Sequence, residues 1–210
     1  MLMASYILKD GDLILASGSR TRQKLLEDMH IAFTAIPAQI DEEAIKQAAS
    51  ADNIEPAGIA EMLADLKAQQ IALSKDEYIL GCDQILVCDG QIYSKAQTPQ
   101  IAEQHLRQLS GSTHQLISAA VMYFGKQRIW HHVAISELTM RQLSDDDIAS
   151  YCALNRDALT SSVGCYQLEN GGAHLFSRIS GDFFDILGLP LLPLLGFLRQ
   201  RGLEYKGQHR

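Results

Sequence analysis

The sequence predicts an α/β fold with a mixed β-sheet and separate helices, not a regular βαβ repeat. Two observations carry this. Apolar residues at a period of about 3.6, such as Ile59, Met62, Leu63, Leu66 and Leu73, mark amphipathic helices. Between such segments lie apolar strand runs, chief among them ILGCDQILVC at 79–88, followed at once by Asp89-Gly90. Asp-Gly between apolar runs favours a two-residue hairpin, because both central positions need positive φ. A hairpin inside a chain that also alternates strands and helices makes the sheet mixed.

Taken in order, Leu13–Ala16 reads as a short strand after the Asp10-Gly11-Asp12 turn. Ser17-Gly18-Ser19 then interrupts it, and Arg20–Met29 reads as a helix with Leu25, Leu26 and Met29 inward. Ile31–Pro37 is a second strand candidate, followed by the acidic Asp41-Glu42-Glu43. The period above predicts a helix over Pro56–Leu73, with Lys67 at the border of its apolar stripe. Ile79–Cys88 pairs with Gln91–Lys95 across the Asp-Gly turn. A helix follows Pro99, with Ile101, His105, Leu106 and Leu109 on it. Gln115–Phe124 and Ile129–Leu138 are long strands around Gly125-Lys126, with Thr139–Arg141 as an extension. Ser144 and three aspartates cap a helix reaching Leu154. Gly164–Gly172 is a glycine-rich loop and Ala173–Ile179 a strand. Leu189-Pro190 opens a final helix, where the missing proline N–H is not needed.

Composition narrows the function. The chain has 210 residues, 47% hydrophobic and 20% charged, ordinary for a globular protein and enough for a real core. A formal net charge of -7 disfavours a nucleic-acid binder, yet permits a nucleotide enzyme that holds phosphates with a few local cations. No basic segment followed by an apolar one opens the chain, which argues against a signal peptide. The greasiest stretch, Ile186–Leu198, is broken by Gly188, Pro190, Pro193 and Gly196 and is too short to span a membrane. Cys82, Cys88, Cys152 and Cys165 form no metal or disulfide pattern and read as reduced cytosolic thiols.

Few residues stand out for chemistry. Ser17, Ser19 and Arg22, with Arg20 beside them, sit at a strand-to-helix turn where hydroxyls, helix N–H groups and cations could cradle an anion. The spacing of a P-loop is absent, and an N-cap with surface arginines accounts for the same residues. Asp83 is sharper, because an ionised carboxylate inside an apolar strand needs a partner, a metal or a proton. Gly81, two residues earlier on the same face, leaves room for a ligand; a structural aspartate accepting backbone bonds is the alternative. Lys95 is a candidate partner, but ideal hairpin register pairs it with Gln84, so joint action with Asp83 needs a bulge or a strand end. By spacing alone Glu42, Lys67 and Glu169 read as solvated charges, His131-His132 cannot chelate one ion, and Trp130 reads as core.

These pieces occur together in a recognisable order: LILASGSRTRQKLL, IDEE, ADLKA, GCDQILVCDGQIYSK, LRQLSGSTH and GCYQLENGGAHLFSRISGDFFDILGLPL. Over roughly residues 13 to 200 the chain resembles the Maf family of nucleoside triphosphate pyrophosphatases. The resemblance implies an elongated, twisted mixed sheet flanked by helices, in two lobes with a cleft between them (the ITPase-like Maf fold), and one domain over 1–210. It implies hydrolysis of a nucleoside triphosphate to the monophosphate and pyrophosphate with a divalent cation, Mg2+ or Mn2+. Asp83 falls on the family's proton acceptor and Lys95 on its second catalytic position. Ser17, Ser19, Arg22 and Lys67 match phosphate-binding positions, and Glu42 joins Asp83 as a metal ligand. A cytoplasmic homodimer, free of nucleic acid and membrane, completes the expectation.

Asp-Gln at 83–84 and Glu169 resemble the branch acting on 7-methyl-GTP, whose cationic base a carboxylate favours, and place specificity on Thr21, Gln84 and Glu169. The chain departs from the usual pattern at Thr21, Gln23, Ser94, Ala96 and Asn170. A dTTP/UTP preference, or a nucleotide-binding regulator of septum formation with little turnover, are the competing readings.

Overall fold

The computed structural model describes residues 5–71 and 77–206. The strands are β1 (Ser5–Ile7), β2 (Asp12–Leu15), β3 (Thr34–Ala35), β4 (Glu77–Cys88), β5 (Gln91–Tyr93), β6 (Thr113–Phe124), β7 (Gln127–Met140), β8 (Phe176–Ser180) and β9 (Glu204–Lys206). The helices are α1 (Arg20–Asp28), α2 (Glu42–Ala51), α3 (Pro56–Ile71), α4 (Pro99–Leu109), α5 (Asp145–Leu154), α6 (Arg156–Ser161), α7 (Phe183–Ile186) and α8 (Leu191–Gln200). Seven strands form one sheet in the order β3-β2-β4-β6-β7-β8, with β5 also paired to β4. β2 runs parallel to β3 and β4, whereas β5 is antiparallel to β4 and β8 to β7, so the sheet is mixed as expected. β1 and β9 form a separate antiparallel ribbon.

The chain divides into two compact units. The first holds residues up to Asp83, Ser118–Ala134 and the chain from Gly188; the second holds Gln84–Ile117 and Ile135–Leu187. Leu15, Leu26, Ile59, Leu63, Ile79 and Leu80 are buried in the first. In the second, Leu86, Leu106, Leu109, Leu138 and Tyr166 belong to one continuous core cluster.

Within the first unit, β4 lies against α3 at Gly81. A Cβ there would stand 2.1 Å from the Ala64 carbonyl oxygen and 2.9 Å from the Ala68 Cβ. The space beside Gly81 is therefore filled by α3, not left for a ligand as the sequence suggested. The same close approach brings the helix bearing Lys67 onto the strand bearing Asp83.

The hairpin has the register that counting predicts, Cys88 opposite Gln91 and Leu86 opposite Tyr93. β5 ends at Tyr93, so Lys95 lies beyond the strand. The strand expected over Ile31–Pro37 contracts to Thr34–Ala35, with Ile31 bridging Tyr6 instead. The acidic run opens an unforeseen helix, with Asp41 as N-cap of α2 accepting from the Ala44 N–H at 3.0 Å. The strand expected from Ala173 begins as a 3-10 turn over Gly172–Leu175 and becomes β8 only at Phe176. Leu73, assigned to the α3 stripe, lies outside the described residues. At α5 the cap is reciprocal: Ser144 Oγ accepts from the Asp147 N–H at 3.1 Å while Asp147 accepts from the Ser144 N–H at 2.9 Å. Trp130 is half-buried rather than core, stacked on Phe197 at 5.4 Å between ring centroids.

Candidate active site

The turn after β2 sets the first part of the site. Ser19 is the N-cap of α1 and its Oγ accepts from the Arg22 N–H at 3.4 Å. Ser17, buried just before it, accepts from the Ser19 N–H at 3.2 Å. This geometry sends Arg22, on the first turn of α1, into the interior, where it is only 8% exposed. Its Nε donates to the Gly188 carbonyl at 2.8 Å, and its Nη1 donates to Ser17 Oγ and to the Cys82 carbonyl, both at 3.1 Å. Every one of these acceptors is neutral. Among the described residues no carboxylate forms an ion pair with Arg22, so the charge is held in place without being cancelled. A guanidinium fixed in this way is prepared for an anion with planar, multiple oxygens.

The residue after Cys82 supplies the second part. Asp83 is 4% exposed on β4, and its Oδ1 accepts from Lys67 Nζ at 2.6 Å. The same Nζ stands 2.6 Å from Glu42 Oε1, on the first turn of α2. One ammonium thus joins two carboxylates from two elements, while Asp83 Oδ2 has no hydrogen-bond partner among the described residues. Burial pushes the Asp83 carboxyl above its ordinary value; Lys67 and Arg22 act against that push, and Glu42 adds to it. A carboxyl raised by desolvation is, in its ionised form, a stronger base than a solvated one.

Two carboxylates with an open buried oxygen fit a hard divalent cation, which prefers oxygen donors and commonly uses only one or two protein carboxylates. No cluster of three or more His, Cys, Asp or Glu able to hold an ion occurs among the described residues. The remaining ligands of such a cation would be water and phosphate.

The other expected residues are placed as follows. Thr21 is half-buried on α1. Gln84, Lys95 and Glu169 belong to the second unit. Gln84 Nε2 donates to the carbonyls of Asp185 at 3.2 Å and Ile186 at 2.9 Å, so its amide group holds the α7 turn. Lys95 is exposed just beyond the end of β5, and Glu169 is exposed in a turn where the Gln167 carbonyl accepts from Asn170 and Gly172. Asp185 is pushed up to about 6 by burial, with the neighbouring Asp182 charge adding to the rise.

Two features escaped the sequence. Asp83 takes Lys67 as its ion partner, although the hairpin had made Lys95 the candidate. The Gly188 and Cys82 carbonyls that anchor Arg22 carry no side-chain signal at all. The only hint was the position of Lys67 at the edge of the α3 stripe, where a long side chain can reach past the helix.

A family model described as Maf-like protein matches residues 12–201. The chain is 48% identical over 192 residues to the nucleoside triphosphate pyrophosphatase of Nitrobacter hamburgensis, spanning 91% of this chain and 94% of that one. It is 45% identical over 192 residues to the protein of the same name from Ruegeria pomeroyi, spanning 91% and 96%. The corresponding protein of Granulibacter bethesdensis is 46% identical over 189 residues, spanning 90% and 96%. None of these names specifies a base.

Proposed function

The chain belongs to the Maf-like family, and from that premise we propose that it is a nucleoside triphosphate pyrophosphatase, a hydrolase that releases pyrophosphate and the nucleoside monophosphate. The observation that carries the reading is Arg22, a buried cation held by neutral groups, bonded to the carbonyl of the residue directly before Asp83. An uncancelled cation beside a desolvated carboxylate suits a reaction in which anionic phosphates must be held while water is deprotonated.

In this reading Ser17, Ser19, Arg22 and Lys67 bind phosphate oxygens. Asp83 accepts a proton from the attacking water; the water oxygen bonds to phosphorus, the α–β anhydride bond breaks, and pyrophosphate leaves. Lys95 is assigned as the second catalytic residue by its match to the family motif. Glu42 and Asp83 would hold Mg2+ or Mn2+, which when bound neutralises charge on the phosphates.

The proposed preference is for 7-methyl-GTP or another modified nucleotide. It is supported by the carboxylate at Glu169, which suits a cationic base, and it places selection on Thr21, Gln84 and Glu169. The backbone bonds of Gln84 make that residue a support for the α7 turn as well. We further assign one functional domain, a homodimeric assembly and a cytoplasmic setting. Among the described residues no helix is long and apolar enough to cross a membrane.

The test is pyrophosphate release with Mg2+ from 7-methyl-GTP, GTP, UTP, CTP and dTTP, run beside Asp83→Asn. Turnover led by 7-methyl-GTP and lowered by roughly 10²–10⁴-fold in the variant is the expected result. A lead by UTP or dTTP overturns the base preference alone, and nucleotide binding without release overturns the activity.

A further inference from the structure

We propose that Lys67 is an exchangeable resident cation: its ammonium holds the place between Glu42 and Asp83 that a divalent ion takes when the triphosphate arrives, and Lys67 then moves to the phosphates. The inference rests on the pyrophosphatase reading for the identity of the incoming anion. The exchange itself requires only the three side chains.

Arg22 and Lys67, two of the buried cations of this unit, are held in opposite ways. Arg22 is fixed by three hydrogen bonds to Gly188, Ser17 and Cys82, none of them to a carboxylate. Lys67 is 7% exposed, and its Nζ forms ion pairs with two carboxylates, at 2.6 Å each. A guanidinium is a rigid fork, whereas an ammonium on a four-carbon stem is a compact charge that can be re-aimed by rotating its own side chain. The movable cation is the one seated between the metal-type ligands.

Charge balance gives the exchange its direction. With both carboxylates ionised, Glu42 and Asp83 bring two negative charges against the one positive charge of Lys67, which leaves the trio one charge negative. Asp83 also keeps Oδ2 without a partner, although a buried carboxylate normally uses both oxygens. A divalent cation cancels both carboxylates, and the freed ammonium adds to the charge that Arg22 offers the phosphates. Each arrival therefore makes the other easier. Without a triphosphate, the ammonium competes with any metal for the same oxygen atoms.

The experiment uses Mn2+ alone as probe, its free concentration read by electron paramagnetic resonance, on the full chain without nucleotide. Lys67→Gln keeps an amide that can donate to the carboxylates and removes the competing charge. It is expected to bind Mn2+ about tenfold or more tightly than the wild type, and adding Asp83→Asn should remove the gain. Equal or weaker binding by a folded Lys67→Gln chain overturns the proposal.

A wild-type measurement keeps the question decidable should that variant not fold. The 15N signal of the Lys67 ammonium is followed as Mg2+ and inorganic triphosphate are added together. A shift is expected, and a signal unmoved at saturation overturns the proposal. Tighter Mn2+ binding by Lys67→Gln, in a chain whose wild type hydrolyses no nucleotide, would sustain the exchange while the pyrophosphatase reading fell.

Discussion

Asp83 and His114 are both almost fully buried, and each leaves one polar atom without a partner among the described residues, Oδ2 in one and Nδ1 in the other. Their surroundings differ in kind. His114 Nε2 lies 2.7 Å from the Tyr166 hydroxyl, and its ring sits 5.7 Å from that of Tyr166 and 5.8 Å from that of Phe176. Among the described residues no ionic partner opposes its burial, and the imidazole is pulled down to about 4. Asp83 meets the same desolvation with Lys67 and Arg22 close by, so its charge has something to interact with. An unpaired buried atom does not by itself mark a working site. Neighbouring charges that can be redistributed when a ligand arrives do.

The largest test of that contrast exchanges the two groups' roles. Asp83→Asn should lower pyrophosphate release by roughly 10²–10⁴-fold, the range of a lost general base, while His114→Phe should leave the rate essentially unchanged. Comparable losses from both substitutions would break the distinction.

Next in size is the acid response. Because the folded imidazole is lowered from 6.5 to about 4, the unfolded chain binds a proton that the folded chain does not between those values. Stability therefore falls as pH falls from 6.5 towards 4, by about 3 kcal/mol, and His114 contributes no further loss below that. Asp83 has the opposite sign: its carboxyl is raised, so its contribution is lost as pH rises above the ordinary 3.8. Denaturant unfolding of wild type and His114→Phe across pH 4 to 7 should show a flatter curve for the variant.

Gly81→Ala sharpens the comparison from the packing side. The added Cβ would meet the Ala64 carbonyl oxygen at 2.1 Å and force α3 off β4, at a cost of about 2–3 kcal/mol. Turnover should fall with stability, because the helix that moves carries Lys67. A lower melting temperature with unchanged turnover would mean that the Lys67–Asp83 contact matters less than its geometry suggests. The smallest expected effect is that of Arg22→Lys, which loses bonds to the Gly188 and Cys82 carbonyls at about 1–2 kcal/mol of stability. It should raise the KM for nucleotide, since an ammonium cannot reproduce the guanidinium fork.

Much of the fold was legible because its signals are local. Asp89-Gly90 set the hairpin register, Ser144 and Asp147 set the start of α5, and the 3.6-residue period placed α3. These rest on interactions within a few residues, where spacing and side-chain type suffice. The short elements β1, β9, α6 and α7 carried too little periodicity to be seen, and α2 was hidden because its N-cap aspartate reads equally well as an acidic loop. Resemblance in motif order named the positions at which the proposed chemistry sits, and the family match agrees with it.

By itself, then, the sequence determined the class of fold, the hairpin, the principal helices and the family. Tertiary structure decided which charges meet. Lys67 reaches Asp83 across 16 residues and Arg22 reaches Gly188 across 166. The outcome turned on Gly81, whose missing side chain lets α3 approach β4 closely enough for an ammonium to bridge two carboxylates. Charge type and spacing along a chain cannot choose between Lys67 and Lys95, because that choice is made by the faces that pack together.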